Sequence, residues 1–353
     1  MPPNWNTASS FQISLCPKTN DASASYNLVY MITGNPGLIG YYDTFLKTLH
    51  NRLSDSLRFP PSSNTFHVYG QSLAGFEDET PSEPMPASPY SLEYQIQRSQ
   101  KTLEGLRIES GPRKGEKFDS IFLIGHSVGS YILLEIIQRL KKSSSPLKIK
   151  SGILLFPTVT HIAQSPSGVK ISTLFRIPDF PRRASIAAKG LVWLAPEGVL
   201  KWLVGLVARM PSEAAEVTTR FLKSRMGIWQ ALQLAKEEMD NITEDRWDED
   251  IWGIEQGVAE VKDERPKLIF YFGNDDHWVA NHTRDALIAA RGRAGQENES
   301  SKPIMLIDEN GVDHGFCISK SPKAYRTVIL TVPGHSESIA EKVEVWIDNM
   351  IES

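Results

Sequence analysis

The chemistry in this chain centres on a serine set between two glycines, in Gly125-His126-Ser127-Val128-Gly129. A serine hydroxyl is a weak nucleophile until a base takes its proton, and that base needs a carboxylate to orient it. The flanking sequence suits such a nucleophile. An apolar, β-branched run at 121–124 leads into the pentapeptide, and an amphipathic helical pattern at 131–140 follows it. Strand, sharp turn and helix with a serine at the apex make a G-x-S-x-G nucleophile elbow. The crowded turn calls for glycine at 125 and 129, where a Cβ would collide with neighbouring backbone. The Val128 amide opens the helix, so its N–H and the helix dipole favour a developing oxyanion.

With this elbow the partners follow in the order serine, acid, histidine. Downstream, Tyr271-Phe-Gly-Asn-Asp-Asp-His-Trp-Val places two aspartates in a turn just past a strand-like run. Asp276, three residues after Gly273, is the expected acid. Asp275 is the alternative, and both also fit an ordinary surface turn. Eight histidines compete for the base. His314 is expected, because Asp313-His314-Gly315-Phe316 follows the last strand-like run after a short Glu-Asn-Gly turn. His277 adjoins the acid, His126 should point into the packing around the elbow, and His161 comes too early in the chain. His50, His67, His282 and His335 read as surface or structural residues. The second oxyanion donor is expected in Thr33-Gly34-Asn35-Pro36-Gly37. Pro36 has no N–H, so Asn35 is the natural partner to Val128. A plain Asn-Pro-Gly turn is the competing reading.

These residues need a scaffold that gathers them. Strand-like runs at 11–15, 27–32, 65–69, 121–124, 150–156, 267–272 and 303–307 alternate with helical patterns, which predicts an α/β fold with a mostly parallel sheet. Residues 70–89 read as a Gly- and Pro-rich loop, and 92–108 and 337–351 as helices, the second capped by Ser336. From 157 to about 265 the sequence is helical and Trp-rich without clear strands. The expected organisation is a core of residues 1–157 and 265–353, interrupted by a helical cap at 158–264. Such a cap would cover the carboxyl ends of the strands, where α/β sheets bind ligands.

A net charge of −4, with no basic patch or finger motif, argues against nucleic acid as a partner. No metal-ligand cluster or nucleotide loop is evident, so no cofactor is expected. The two cysteines, Cys16 and Cys317, read as free thiols, which favours a reducing compartment. The N-terminal sequence lacks the basic and apolar regions of a secretory leader, and no charge-free apolar run reaches the ~18 residues that span a bilayer. Residues 191–210 form the most apolar stretch. Pro196, Glu197 and Lys201 interrupt it, predicting two short helices that meet near Pro196-Glu-Gly. Trp193 and Trp202, with Arg182, Arg183, Lys189 and Lys201 nearby, suit a segment lying in a lipid interface. The same residues would equally serve to roof an acyl pocket. Residues 221–239 read as one amphipathic helix.

Four stretches resemble the lipid droplet-associated hydrolase family. They are Gly34-Asn-Pro-Gly-Leu-Ile-Gly-Tyr-Tyr-Asp-Thr-Phe, the elbow pentapeptide, Leu155-Phe-Pro-Thr with His161-Ile-Ala-Gln-Ser-Pro-Ser-Gly, and Phe270-Tyr-Phe-Gly-Asn-Asp-Asp-His-Trp. They occur in the family's order from about Val29 to Phe316. The Gly-Asn-Pro-Gly stretch with its following Tyr-Tyr pair is more diagnostic than the elbow. Thr33 and Ala280 depart from the family's usual proline, and Ser130 from its usual alanine. The resemblance implies an α/β-hydrolase fold, a Ser127–Asp276–His314 triad and a lipid-ester substrate, with sterol esters among the family's proposed substrates. It also implies residence on lipid droplets or the cytoplasmic face of the endoplasmic reticulum, a cytoplasmic location being the alternative. Competing functions are a lipid-droplet surface protein with little hydrolysis and a soluble thioesterase or small-molecule esterase. Dehalogenases and epoxide hydrolases, which carry aspartate at the elbow, fit poorly with Ser127.

Overall fold

The computed structural model describes residues 7–8, 11–17, 21–55, 63–76, 87–207, 210–253, 265–293, 302–319 and 334–352. In chain order its strands are β1 (Thr7–Ala8), β2 (Gln12–Leu15), β3 (Ser25–Ile32), β4 (Asn64–Gln71), β5 (Ser120–His126), β6 (Ile149–Leu155), β7 (Lys267–Phe272) and β8 (Ile304–Ile307). Near-continuous apolar runs mark strands covered on both faces, and β3, β5 and β6 are such runs at the middle of the sheet. The strand order is β1-β2-β4-β3-β5-β6-β7-β8. β1 and β2 run antiparallel to their neighbours, and every pairing from β4 through β8 is parallel. This is the α/β-hydrolase arrangement.

Register brings the functional loops to one edge. Ile32 at the end of β3 pairs with Gly125, His126 at the end of β5 with Leu155, and Phe272 at the end of β7 with Ile307. The loops beginning at 33, 127, 156, 273 and 308 therefore leave the sheet side by side, where ligands bind in such folds.

The helices are α1 (Asp43–Ser54), α2 (Leu92–Gly105), α3 (Val128–Lys142), α4 (Pro166–Phe175), α5 (Phe180–Trp193), α6 (Glu197–Val207), α7 (Ser212–Lys223), α8 (Gly227–Asn241), α9 (Asn281–Arg291) and α10 (His335–Glu352). Three differ from the sequence expectation. α2 stops at Gly105 because Leu106 turns extended, at φ −65° and ψ 139°. The expected helix at 221–239 is two helices: Phe221 belongs to α7, and Ser224 Oγ accepts the Gly227 N–H at 2.9 Å to start α8 anew. Ser336 does not cap α10. It lies one residue inside the helix and donates to the Phe316 carbonyl.

Helices α4–α8 lie between β6 and β7, and their two halves meet the core differently. α7 and α8 are stitched down. Tyr41 Oη lies 2.8 Å from Thr218 Oγ1, Gln230 exchanges two hydrogen bonds with the Tyr90 backbone, and Glu237 accepts the Leu92 N–H. α5 and α6 instead expose apolar side chains, with Trp193 85 %, Val207 79 % and Trp202 64 % exposed. The chain breaks between them near Pro196, as expected. Among the described residues no single helix is long and apolar enough to cross a membrane, although α5 and α6 together pass that test across a 117° bend.

Candidate active site

Close packing explains why glycine occupies the elbow. A Cβ on Gly129 would lie 2.3 Å from the Ile32 carbonyl oxygen, and one on Gly125 would lie 2.5 Å from that of Gly129. α3 therefore starts hard against β3 and forces Ser127 into φ 54°, ψ −124°. A non-glycine residue held at positive φ stores strain, and such residues concentrate at functional sites.

The remaining residues converge on Ser127. Its Oγ lies 3.0 Å from His314 Nε2, and His314 Nδ1 lies 2.6 Å from Asp276 Oδ2. All three are buried, with Ser127 7 %, Asp276 7 % and His314 9 % exposed. A carboxylate only accepts, so Nδ1 carries the imidazole proton and Nε2 is free to take one from Ser127. The other carboxyl oxygen of Asp276 accepts the Trp278 N–H at 2.7 Å. Burial pushes the Asp276 carboxyl up, but the His314 contact and the Trp278 N–H outweigh it and hold the group below the usual carboxylate range. Asp275 is exposed on the same turn and takes no part.

The loop after β3 presses on the elbow: a Cβ on Gly34 would lie 3.1 Å from that of Ser127. The Gly34 N–H donates to Tyr42 Oη at 3.0 Å and Pro36 has none, so within the Gly34-Asn-Pro segment the expected donor is Asn35. Val128 is the first residue of α3, where an N–H has no intrahelical acceptor.

The sequence model of the family described as "Lipid-droplet associated hydrolase" matches residues 25–317. The chain belongs to that family. It is 29 % identical over 297 residues to the lipid droplet-associated hydrolase of Gallus gallus, covering 83 % of this chain and 81 % of the relative. With the Drosophila melanogaster protein of that name it shares 25 % identity, covering 83 % and 85 %. Among solved structures, a lipase-esterase related protein from Clostridium acetobutylicum superposes with a TM-score of 0.50 at 10 % identity, covering 95 % of this chain and 99 % of the other. A laboratory-evolved potato epoxide hydrolase does so with a TM-score of 0.50 at 14 % identity, covering 93 % of each. These two likenesses establish the fold. Family membership establishes a hydrolase.

Three residues of this family member had no chemical role assigned from sequence. His126 points inward, as expected, and joins a chain of hydrogen bonds. Its Nε2 lies 2.8 Å from the His314 carbonyl, which only accepts, so Nε2 holds the proton and Nδ1 accepts from Tyr42 Oη at 2.7 Å. Burial, with His314 nearby, lowers the His126 pKa to about 3, which keeps the ring neutral. Gly34 N–H to Tyr42 to His126 to the His314 carbonyl thus ties the loop of the expected oxyanion donor to the loop of the expected base. Tyr42 stands in the Tyr-Tyr pair of the diagnostic stretch, but only the fold brings it to His126. The third, after His126 and Tyr42, is Glu238 of α8, whose Oε1 accepts from Asn35 Nδ2 at 2.9 Å.

Of the other histidines, His277 packs edge-on against the His314 ring, centroids 5.8 Å apart, whereas His67 is buried against Cys16, His282 bonds Gln164, and His161 sits at φ 49° before the Ile162–Gln164 turn. Neither cysteine forms a disulfide among the described residues, and burial raises Cys16 to about 11 and Cys317 to about 12. A cavity of about 430 Å³ opens beside α5 and α8 and includes Arg182, Lys189 and Trp229 in its lining, away from Ser127.

Proposed function

We propose that this protein is a serine hydrolase that cleaves carboxylic esters of lipids, sterol esters among them, at the lipid droplet or the cytoplasmic face of the endoplasmic reticulum. The observation that carries the reading is the hydrogen-bonded line Asp276–His314–Ser127 ending on a strained elbow serine. In this mechanism Ser127 Oγ attacks the ester carbonyl while His314 Nε2 takes its proton. The negative charge collects on the former carbonyl oxygen, facing the backbone N–H groups of Asn35 and Val128. Collapse expels the alcohol, which receives the proton from His314. Water then repeats the sequence on the acyl-enzyme and releases the acid. Asp276 holds the imidazole in the required tautomer and stabilises its cation.

Residues 158–264 act as a cap in this reading, and the exposed apolar side chains of 191–207 dock it on lipid. The names of the relatives, which place them on lipid droplets, support that location. The test is fluorophosphonate labelling of purified protein, followed by peptide mapping. One adduct on Ser127, absent in Ser127→Ala and lost with His314→Ala, is expected. Full ester turnover by a folded Ser127→Ala protein would sink the assignment. The same exposed apolar face favours a second reading, a droplet surface protein with little hydrolysis. That reading requires Ser127→Ala to reproduce every effect of the wild type on cellular lipid.

A further inference from the structure

We propose that Glu238 is a positioning residue that holds the Asn35 loop, and with it the Asn35 backbone N–H, in place beside Ser127. The inference rests on the reading of Asn35 as an oxyanion donor and adds a member from the cap to that machinery.

The geometry starts at the Asn35 amide. Its Nδ2 donates both to the Ala231 carbonyl at 3.0 Å and to Glu238 Oε1 at 2.9 Å. These acceptors are seven residues apart on α8, hence on one face two turns apart. A helical side chain leans toward the N-terminus of its helix, so the Glu238 carboxyl reaches back toward the Ala231 turn, and the two bracket the amide. This amide contact fastens the stitched half of the cap to the segment beside the elbow. The neighbouring Gly34 is held from the other side by Tyr42.

A carboxyl is an odd group to bury here. Glu238 is 4 % exposed, and burial, opposed only in part by the Asn35 contact, raises its pKa to about 8. Ionisable groups on the elements packed against α8 are engaged elsewhere or point outward. Glu93 of α2 pairs with Arg139, Lys170 of α4 is exposed, Arg182 of α5 lies over the Trp229 ring, and Arg220 of α7 pairs with Glu216. On α8 itself Lys236 pairs with Asp240. A proton on Glu238 removes the buried charge and turns one carboxyl oxygen into a donor. Asn35 Oδ1, on the same amide, is a buried acceptor with no partner among the described residues. The protonated acid therefore matches the amide in both senses, donor to acceptor and acceptor to donor. The carboxylate matches it in one and leaves a buried charge that must draw in water or move away.

Steady-state kinetics of the full chain on a soluble aryl ester, from about pH 6 to about pH 10, tests this. For the wild type, kcat is expected to fall as pH rises through about 8 while KM holds within about twofold. Glu238→Ala is expected to lower kcat about tenfold at neutral pH, below the 10²–10³ for losing an oxyanion donor outright. Glu238→Gln, an isosteric neutral group able to both accept and donate, is expected to recover most of that loss and to lack the alkaline fall. The same alkaline fall in Glu238→Gln as in the wild type would overturn the inference, as would a Glu238→Ala effect on KM alone. Absence of Ser127 labelling in the wild type would overturn the underlying reading instead, and this inference with it.

Discussion

Replacing Asp276 by asparagine gives the sharpest test of how the site divides its labour, because the two carboxyl oxygens have different fixed partners. Oδ1 accepts the Trp278 backbone N–H at 2.7 Å, and Oδ2 accepts from His314 Nδ1 at 2.6 Å. The backbone N–H cannot reverse its role, so an asparagine must turn its oxygen to Trp278 and its NH2 to His314. Two donors then face each other unless the imidazole changes tautomer. The ring answers by moving its proton to Nε2, where it points at Ser127 Oγ 3.0 Å away and blocks proton abstraction. The stabilising charge beside the imidazolium is lost as well. A loss of about 10⁴ in kcat follows, or about 5.5 kcal/mol of transition-state stabilisation, with the fold intact. Stopped-assay hydrolysis of an aryl ester and the rate of fluorophosphonate labelling should fall in parallel, while circular dichroism and KM stay near wild type. An Asp276→Asn protein within tenfold of wild-type kcat would refute the tautomer argument and with it the role given to Asp276.

Three further outcomes follow from contacts elsewhere. Tyr42→Phe removes the acceptor of the Gly34 N–H and the donor to His126 Nδ1; urea unfolding should show a loss of about 1–3 kcal/mol, and an unchanged midpoint would count against that chain of bonds. Glu238 has its pKa raised in the folded state, so its stabilising contribution is full below about 4.5 and lost as pH rises through about 8. The melting temperature of Glu238→Gln minus that of the wild type should therefore grow across that window, and a constant difference would contradict the burial argument. Replacing Trp193, Trp202 and Val207 together by serine should weaken partitioning onto triacylglycerol emulsions by more than about 100-fold, since each large apolar side chain contributes about 1.5–3 kcal/mol when buried. Equal flotation of variant and wild type would mean that α5 and α6 do not dock on lipid.

What could be read from the chain depended on how local the cause was. The elbow was legible because strand, glycines and helix are contiguous and leave the serine one place to stand. Asp276 and His314 were legible through their position after strands, and the register of β7 and β8 brings both loops to the edge where Ser127 emerges. Strand ends were less clear: Ser25 and Tyr26 extend β3 because Asn64 and Thr65 pair with them across the sheet. The break between α7 and α8 hangs on one serine hydroxyl, which a hydrophobic period does not register. Glu238 and Tyr42 were hidden for a different reason. Glu238 meets Asn35 across 203 positions and Tyr42 meets His126 across 84, and neither spacing has a pattern.

The bonded chain from Gly34 to His314 has a direction. Gly34 N–H donates to Tyr42, Tyr42 to His126, and His126 to a carbonyl. An amide at one end will not surrender its proton and a carbonyl at the other will not keep one, so the chain cannot work as a proton wire. It works as a strut of set length between two loops that leave the sheet from different strands. Shortening or cutting it anywhere shifts both loops at once, and errors on the two sides of Ser127 arise together rather than singly.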